Sequence, residues 1–110
     1  MSFQHDFKDV LGLEICDMED LSGRLRSAVS QARKLLEQSE VRHAMSMALV
    51  AKTRGAPGIV VWAALQLRSE MEEDLSRAKG KHDKLTRELN GLMLRYQARR
   101  AVLEWIGSGK

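Results

Sequence analysis

Apolar or bulky residues recur at alternating spacings of three and four along the second half of the chain. They are Leu75, Ala78, His82, Leu85, Leu89, Leu92, Tyr96, Arg99, Leu103 and Ile106. Such a repeat lines one narrow stripe of a helix and needs a partner helix to cover it. The pattern predicts a helix over about residues 59–106, with a short strand at 59–61 as the alternative that its β-branched run allows. Polar members of the stripe, His82 and Arg99, are interpreted as fixing the register of the helices.

A similar stripe predicts another long helix over about residues 17–52. Its members are Met18, Leu21, Leu25, Ala28, Ala32 and Leu35, and it resumes through Val41, Ala44, Met45, Ala48 and Leu49. Val29 and Leu36 widen the stripe, which suggests more than one neighbouring helix. The carboxylate of Asp17 is expected to cap the free amides at the start of this helix.

A short amphipathic helix is predicted ahead of these two, over about residues 3–11. Phe3, Phe7, Val10 and Leu11 share one side of it, and Gly12 is its expected end. A helix of this length is unstable alone, so we expect it to dock on the longer helices.

The strongest break in the sequence is the turn at residues 53–58, where two glycines bracket the only proline. Short connections of this kind join antiparallel helices. The expected fold class is therefore all-α: one domain, residues 1–110, with a short N-terminal helix and a long, coiled-coil-like αα-hairpin that assembles as a dimeric helical bundle. Residues 107–110 are expected to form a helix stop and a frayed tail.

Composition narrows the class of protein. Hydrophobic residues make up 44% and charged residues 30% of the 110, which is typical of an ordered soluble protein. One cysteine excludes an internal disulfide, and the start of the chain lacks the apolar segment of a signal peptide. The longest apolar run, 59–65, is far shorter than the ~20 residues of a membrane-spanning helix. We expect a cytoplasmic protein without a membrane partner.

The end of the hairpin nearest the turn is apolar nearly all the way round. Its candidate interface residues are Met45, Leu49, Ile59, Val61, Trp62 and Leu65. A single antiparallel partner covers only one side of such helices, and soluble monomers avoid large exposed apolar patches. A symmetric homodimer with a local four-helix core is the preferred interpretation. A helix of a different protein in the same groove, or a membrane surface, is the alternative.

Charge is distributed unevenly along the chain. Residues 1–20 contain six acids and one lysine. The second long helix carries a candidate basic face for a partner or a nucleic acid, made of Arg77, Lys81, Lys84, Arg87, Arg95, Arg99 and Arg100. In an antiparallel hairpin the acidic stretch is expected to lie beside residues 87–100 and to offset much of this field.

Signatures of catalysis are missing from the sequence. It has no glycine-rich phosphate loop, no HExxH and no CxxC, and Cys16 has no obvious base beside it. His43, Met45 and Met47 could suggest a soft-metal site, but without a nearby cysteine they are interpreted as packing residues. The prediction is therefore a protein with no catalytic residue, no metal and no cofactor.

The function predicted from the sequence is that of a self-associating helical adaptor or regulator that binds another protein. In outline, the two arms resemble the stalk or escort proteins of bacterial secretion systems, and they are equally similar to small phage or plasmid regulators that inhibit a host protein. This resemblance rests on shape and composition without a motif, and it implies occlusion or bridging by helix faces. The alternative is a nucleic-acid-binding accessory protein that uses the basic face.

Overall fold

The computed structural model describes residues 3–108, with side chains from residue 6 onward. It contains two helices, α1 (Phe3–Lys52) and α2 (Gly58–Gly107). The fold is all-α, and the two helices pack antiparallel as a hairpin. The helix predicted over about residues 59–106 is thus confirmed, and the strand alternative at 59–61 is wrong because these residues are helical. Gly80 lies within α2 without interrupting it.

The predicted short N-terminal helix is wrong as a separate element. Helix α1 runs through Gly12 and Asp17 without a break, so Gly12 ends no helix and Asp17 caps none. A glycine inside a helix costs about 1 kcal/mol relative to alanine. Here Leu11 and Ile15, on either side of the glycine, are both buried. Their burial against α2 outweighs that cost.

The turn is built from local hydrogen bonds at residues 53–57. The amide of Thr53 donates to the carbonyl of Leu49 at 3.0 Å, which completes α1. Gly55 has φ +81°, a left-handed conformation that glycine adopts without a steric penalty. The carbonyl of Pro57 then accepts from the amides of Val60 and Val61, so α2 starts directly after the proline, whose missing N–H is not needed there.

The hairpin divides into two units. The terminal unit comprises the described residues of Met1–Ala28 and Leu85–Lys110, and the turn unit comprises Val29–Lys84. In the terminal unit the buried side chains are large, namely Leu11, Ile15 and Leu92. In the turn unit they are small or polar, namely Ala32, Ser46, Thr53 and Ala64.

On α2 the residues that face α1 are those that the spacing predicted. Every member of the predicted stripe from Leu75 to Ile106 is buried or half-buried, including His82 and Arg99. The same spacing continues toward the turn through Met71, Arg68, Ala64 and Val61. We call the inward-facing residues of either helix its seam.

On α1 the predicted stripe is wrong in part. The seam contains Leu11, Ile15, Met18, Ser22, Leu25, Val29, Ala32, Leu36, Ser39, His43, Ser46 and Val50, and the buried Thr53, directly after the helix, continues it. Leu21, Leu35, Val41, Met45 and Leu49, which were predicted to line it, are exposed instead. Polar serines and a histidine therefore occupy seam positions, while larger apolar side chains lie outside.

Two sequence predictions concern residues that lie outside the described set. The placement of the Phe3 side chain on the apolar side of α1 is one of them. The frayed tail is the other as far as Gly109 and Lys110 are concerned. Within the described part of the tail, α2 ends at Gly107, and the amide of Ser108 donates to the carbonyl of Glu104 at 3.0 Å.

Candidate interaction surface at the turn

Large apolar side chains cover the outside of the turn unit. Ten are exposed: Leu35, Val41, Met45, Met47, Leu49, Ile59, Val60, Trp62, Leu65 and Leu67. The exposed fractions of Met45, Ile59 and Trp62 are 66%, 71% and 59%. Because the fully buried positions of this unit hold small or polar residues, a large part of the apolar surface of Met45, Ile59 and Trp62 remains in water.

Most of these exposed residues fall on two sides of the turn unit. Successive residues lie about 100° apart around a helix. The residue directly before a seam residue and the residue directly after it therefore lie on opposite sides of the hairpin. The residues that precede them form the groove flank, defined as Met45, Leu49, Val60 and Leu67. The residues that follow them form the tryptophan flank, defined as Met47, Ala51, Trp62 and Leu65.

The groove flank contains an open groove of about 400 Å³. Its lining residues are Arg42, Met45, Ser46, Leu49, Leu67 and Met71. Four of these six are apolar, and Ser46 is a buried seam residue. A groove with this lining suits an apolar side chain of a helix packed against it.

The predicted interface residues are thus divided by the structure. Met45 and Leu49 belong to the groove flank, and Trp62 and Leu65 belong to the tryptophan flank. Val61 is half-buried in the seam, so it contributes little to an outer surface. Ile59 is exposed on the side of α2 that faces away from α1.

Polar groups in the seam of the turn unit are satisfied locally. The hydroxyl of Ser46 donates to the carbonyl of His43 at 2.6 Å, and that of Thr53 donates to the carbonyl of Val50 at 2.9 Å. Nε2 of His43 lies 3.5 Å from Oε1 of Glu72. Because these polar groups have hydrogen-bond partners within the unit, their burial costs little free energy.

The candidate basic face is only partly available. Arg77 pairs with Asp74 at 3.1 Å and Glu73 at 3.9 Å, and Arg100 pairs with Glu104 at 3.7 Å. The remaining cations Lys81, Lys84, Arg87 and Arg95 are exposed. Among residues 6–108, none of those four forms an ion pair.

Acidic residues of α1 lie beside the end of α2 in the terminal unit. Nε of Arg99 donates to Oε2 of Glu14 at 2.7 Å, and the hydroxyl of Tyr96 donates to Oε1 of Glu19 at 3.1 Å. The Glu19 hydrogen bond raises the pKa of Tyr96 above its usual 10.0, with burial and the Glu19 charge acting in the same direction. These contacts confirm that acids of α1 lie near Arg99. In the helix register that they define, however, Arg87 lies beyond Asp20, the last acid of residues 1–20, so no acid of that stretch lies beside it.

The side chains of the described residues form no cluster of metal ligands. No three of their His, Cys, Asp or Glu side chains lie close enough together to hold a metal ion. Between residues 3 and 108, no helical stretch is long and apolar enough to cross a membrane. Cys16 is an exposed free thiol.

Sequence reasoning missed part of the groove. Arg42, Ser46, Leu67 and Met71 line it but were not among the candidate interface residues. Leu67 had a detectable signal, since it lies seven residues after Val60, the period of the repeat that defines the seam. Arg42 had no such signal in the sequence. Its place on the groove side depends on the true seam of α1, which differs from the predicted stripe.

No family model matches the chain, and no curated protein or solved structure is significantly similar to it. Its function is therefore inferred from its own residues and their arrangement.

Proposed function

We propose that this protein is a non-enzymatic interaction module. Two copies associate through the turn unit, and the assembled hairpins bind another protein through helix faces, acting by occlusion or bridging. The protein would serve as an adaptor or regulator whose partners are itself and a second protein.

The observation that supports this proposal is the mismatch between the inside and the outside of the turn unit. Its seam buries Ala32, Ser46, Thr53 and Ala64, whereas Met45 and Trp62 are more than half exposed. Burial of apolar surface contributes about 25 cal/mol per Å², so exposed side chains of this size favour association. Exposed apolar patches of this extent on soluble proteins mark interaction sites.

The experiment is a measurement of molar mass by light scattering across a range of protein concentrations. At about 50 µM, we expect a mass of twice the 12.4 kDa chain for the wild type. The double variant Leu49→Glu/Trp62→Glu places a charge on each flank and should be monomeric, because a buried charge without a partner is strongly unfavourable.

The terminal unit offers a matched control. Leu13 and Trp105 are similarly exposed, at 70% and 57%, and Leu13→Glu/Trp105→Glu makes the same chemical change there. This control should retain the wild-type mass. A monomeric wild type at the concentration given above, or equal effects of the two double variants, would contradict association through the turn unit.

Nucleic-acid binding is the second candidate, because four cations of the basic face form no ion pair among the described residues. Lys81 and Lys84 belong to the turn unit, and Arg87 and Arg95 belong to the terminal unit. Cations that contact phosphates release counterions, so the affinity would fall steeply with salt. A titration against duplex and single-stranded DNA tests it, and absence of binding at low salt would eliminate this candidate.

A further inference from the structure

Two opposite charges on the groove flank side of the turn unit have no ion-pair partner. Arg42 precedes the seam residue His43, and Glu70 precedes the seam residue Met71, so both lie on the side that carries the groove. Both are exposed. Nearby Glu72, Glu73 and Asp74 all have an arginine within 4 Å, whereas neither Arg42 nor Glu70 has an ion pair among the described side chains.

Arg42 and Glu70 lie at nearly the same height along the hairpin. The contact between His43 and Glu72 places residue 43 of α1 beside residue 72 of α2. In this antiparallel register Arg42 lies opposite residue 73. Glu70 is three residues closer to the turn, a displacement of about 4.5 Å along the helix. Side chains as long as arginine and glutamate span such an offset.

We propose that the second copy packs on the groove flank around a two-fold axis parallel to the helices. This inference rests on the proposed self-association and specifies its geometry. The axis places α1 of each copy against α2 of the other at equal height. Leu49 of one copy then packs beside Leu67 of the other, and Arg42 pairs with Glu70 twice, once on each side of the axis.

The other two-fold axis that lies in the same face runs perpendicular to the helices. It would place α1 on α1 and α2 on α2, with the two turns pointing in opposite directions. Arg42 would then lie over the α1 helix of the second copy, away from Glu70. Charge complementarity therefore selects the parallel axis.

The geometry leaves the tryptophan flank outside the dimer. Trp62 and Leu65 lie on the opposite side of each hairpin and remain exposed after the groove flanks meet. Exposed tryptophans in apolar surroundings are enriched among the residues that dominate protein binding. This flank is therefore the surface that remains for the other protein.

Charge reversal tests the pairing. Arg42→Glu and Glu70→Arg each place two like-charge contacts in the dimer, so each single variant should raise the dimer dissociation constant by about tenfold or more. The double variant Arg42→Glu/Glu70→Arg restores opposite charges and should return it to within about threefold of the wild type. Sedimentation equilibrium gives the constants, and circular dichroism checks that helix content is unchanged.

Two control variants separate the possible failures. Arg24→Glu reverses an exposed charge in the terminal unit and should leave the dissociation constant unchanged. Trp62→Glu should also leave it unchanged, because the tryptophan flank lies outside the interface. If both single variants weaken the dimer and the double variant does not restore its affinity, the pairing of Arg42 with Glu70 is overturned.

The outcomes also distinguish this inference from the proposed function. A wild-type protein that stays monomeric would contradict both the proposed self-association and this geometry. A dimer that is insensitive to Arg42→Glu and Glu70→Arg but is lost with Trp62→Glu would retain self-association and overturn the geometry, because the copies would then meet through the tryptophan flank.

Discussion

The terminal unit and the turn unit are built from the same two helices but bury different side chains. In the terminal unit, Leu11, Ile15 and Leu92 fill the seam. In the turn unit, the fully buried seam positions hold alanine, serine and threonine, and eight of its exposed large residues lie at positions 45 to 67. A seam of small residues removes little apolar surface from water. The terminal unit thus buries large apolar side chains within itself, whereas the fully buried side chains of the turn unit are small or polar.

Removal of a large seam residue from the terminal unit should have the largest effect on stability. Leu92 is 2% exposed, and Leu92→Ala leaves a cavity in addition to the lost burial. We expect the free energy of unfolding to fall by about 3 kcal/mol. Leu75→Ala in the turn unit is the matched variant, and because Leu75 is only half-buried its effect should be smaller. Urea denaturation followed by circular dichroism measures both, and equal losses would contradict the contrast between the units.

The second prediction concerns how stability depends on concentration. If the turn unit is stabilised by a second copy, unfolding of the wild type should become harder as protein concentration rises, by about 1.4 kcal/mol of dimer for each tenfold increase. Leu49→Glu should abolish this dependence. Leu13→Glu in the terminal unit should preserve it, since that leucine lies outside the turn unit. Thermal melts at several concentrations provide the measurement, and a wild-type melting temperature that does not change with concentration would refute the prediction.

The spacing of α2 was sufficient to predict which of its residues face inward. Large residues occur at nearly every seam position from Leu75 to Ile106, so period and hydrophobicity agree. In α1 they disagree. Leu21 is more apolar than its neighbour Ser22, and Leu35 is as apolar as its neighbour Leu36. The predicted stripe and the observed seam both alternate at spacings of three and four. Hydrophobicity alone therefore selected a stripe that is wrong in part, because the position of the seam is set by the contact with α2.

The continuity of α1 was not predictable from local signals. Gly12 and Asp17 together are typical of a helix end followed by a helix start. Local preferences of this size, about 1 kcal/mol, are overridden when the residues around them are buried by a partner helix. The candidate interface was predictable as a region, since its residues are apolar on all sides. Its division into two flanks follows from the seams of both helices, which place Met45 and Trp62 on opposite sides.

A smaller effect is expected from the buried serine of the turn unit. Ser46 is 3% exposed, and its hydroxyl donates to the carbonyl of His43 in its own helix. Such a bond adds little to helix stability, and alanine has the higher helix propensity. Ser46→Ala should therefore change the free energy of unfolding by only about 0.5 kcal/mol. A loss above about 2 kcal/mol would show that the seam of this unit depends on its polar groups as strongly as the terminal unit depends on its leucines.

The smallest effect should appear in the titration of Tyr96, the only tyrosine of the chain. Its hydroxyl donates to Glu19, and this bond raises the pKa of the phenol above 10.0. Because the folded state holds the phenolic proton more tightly than the unfolded state, the contribution to stability is fully present below pH 10 and is lost as the pH rises through the folded pKa.

Glu19→Gln removes the negative charge while keeping an oxygen that can accept the hydrogen bond. We expect the pKa of Tyr96 to move back toward its ordinary value in this variant, which ultraviolet absorbance of the phenolate measures directly. Glu72→Gln in the turn unit is the control and should leave the titration unchanged. If Glu19→Gln does not lower the pKa of Tyr96, the negative charge of Glu19 is not what holds the phenolic proton.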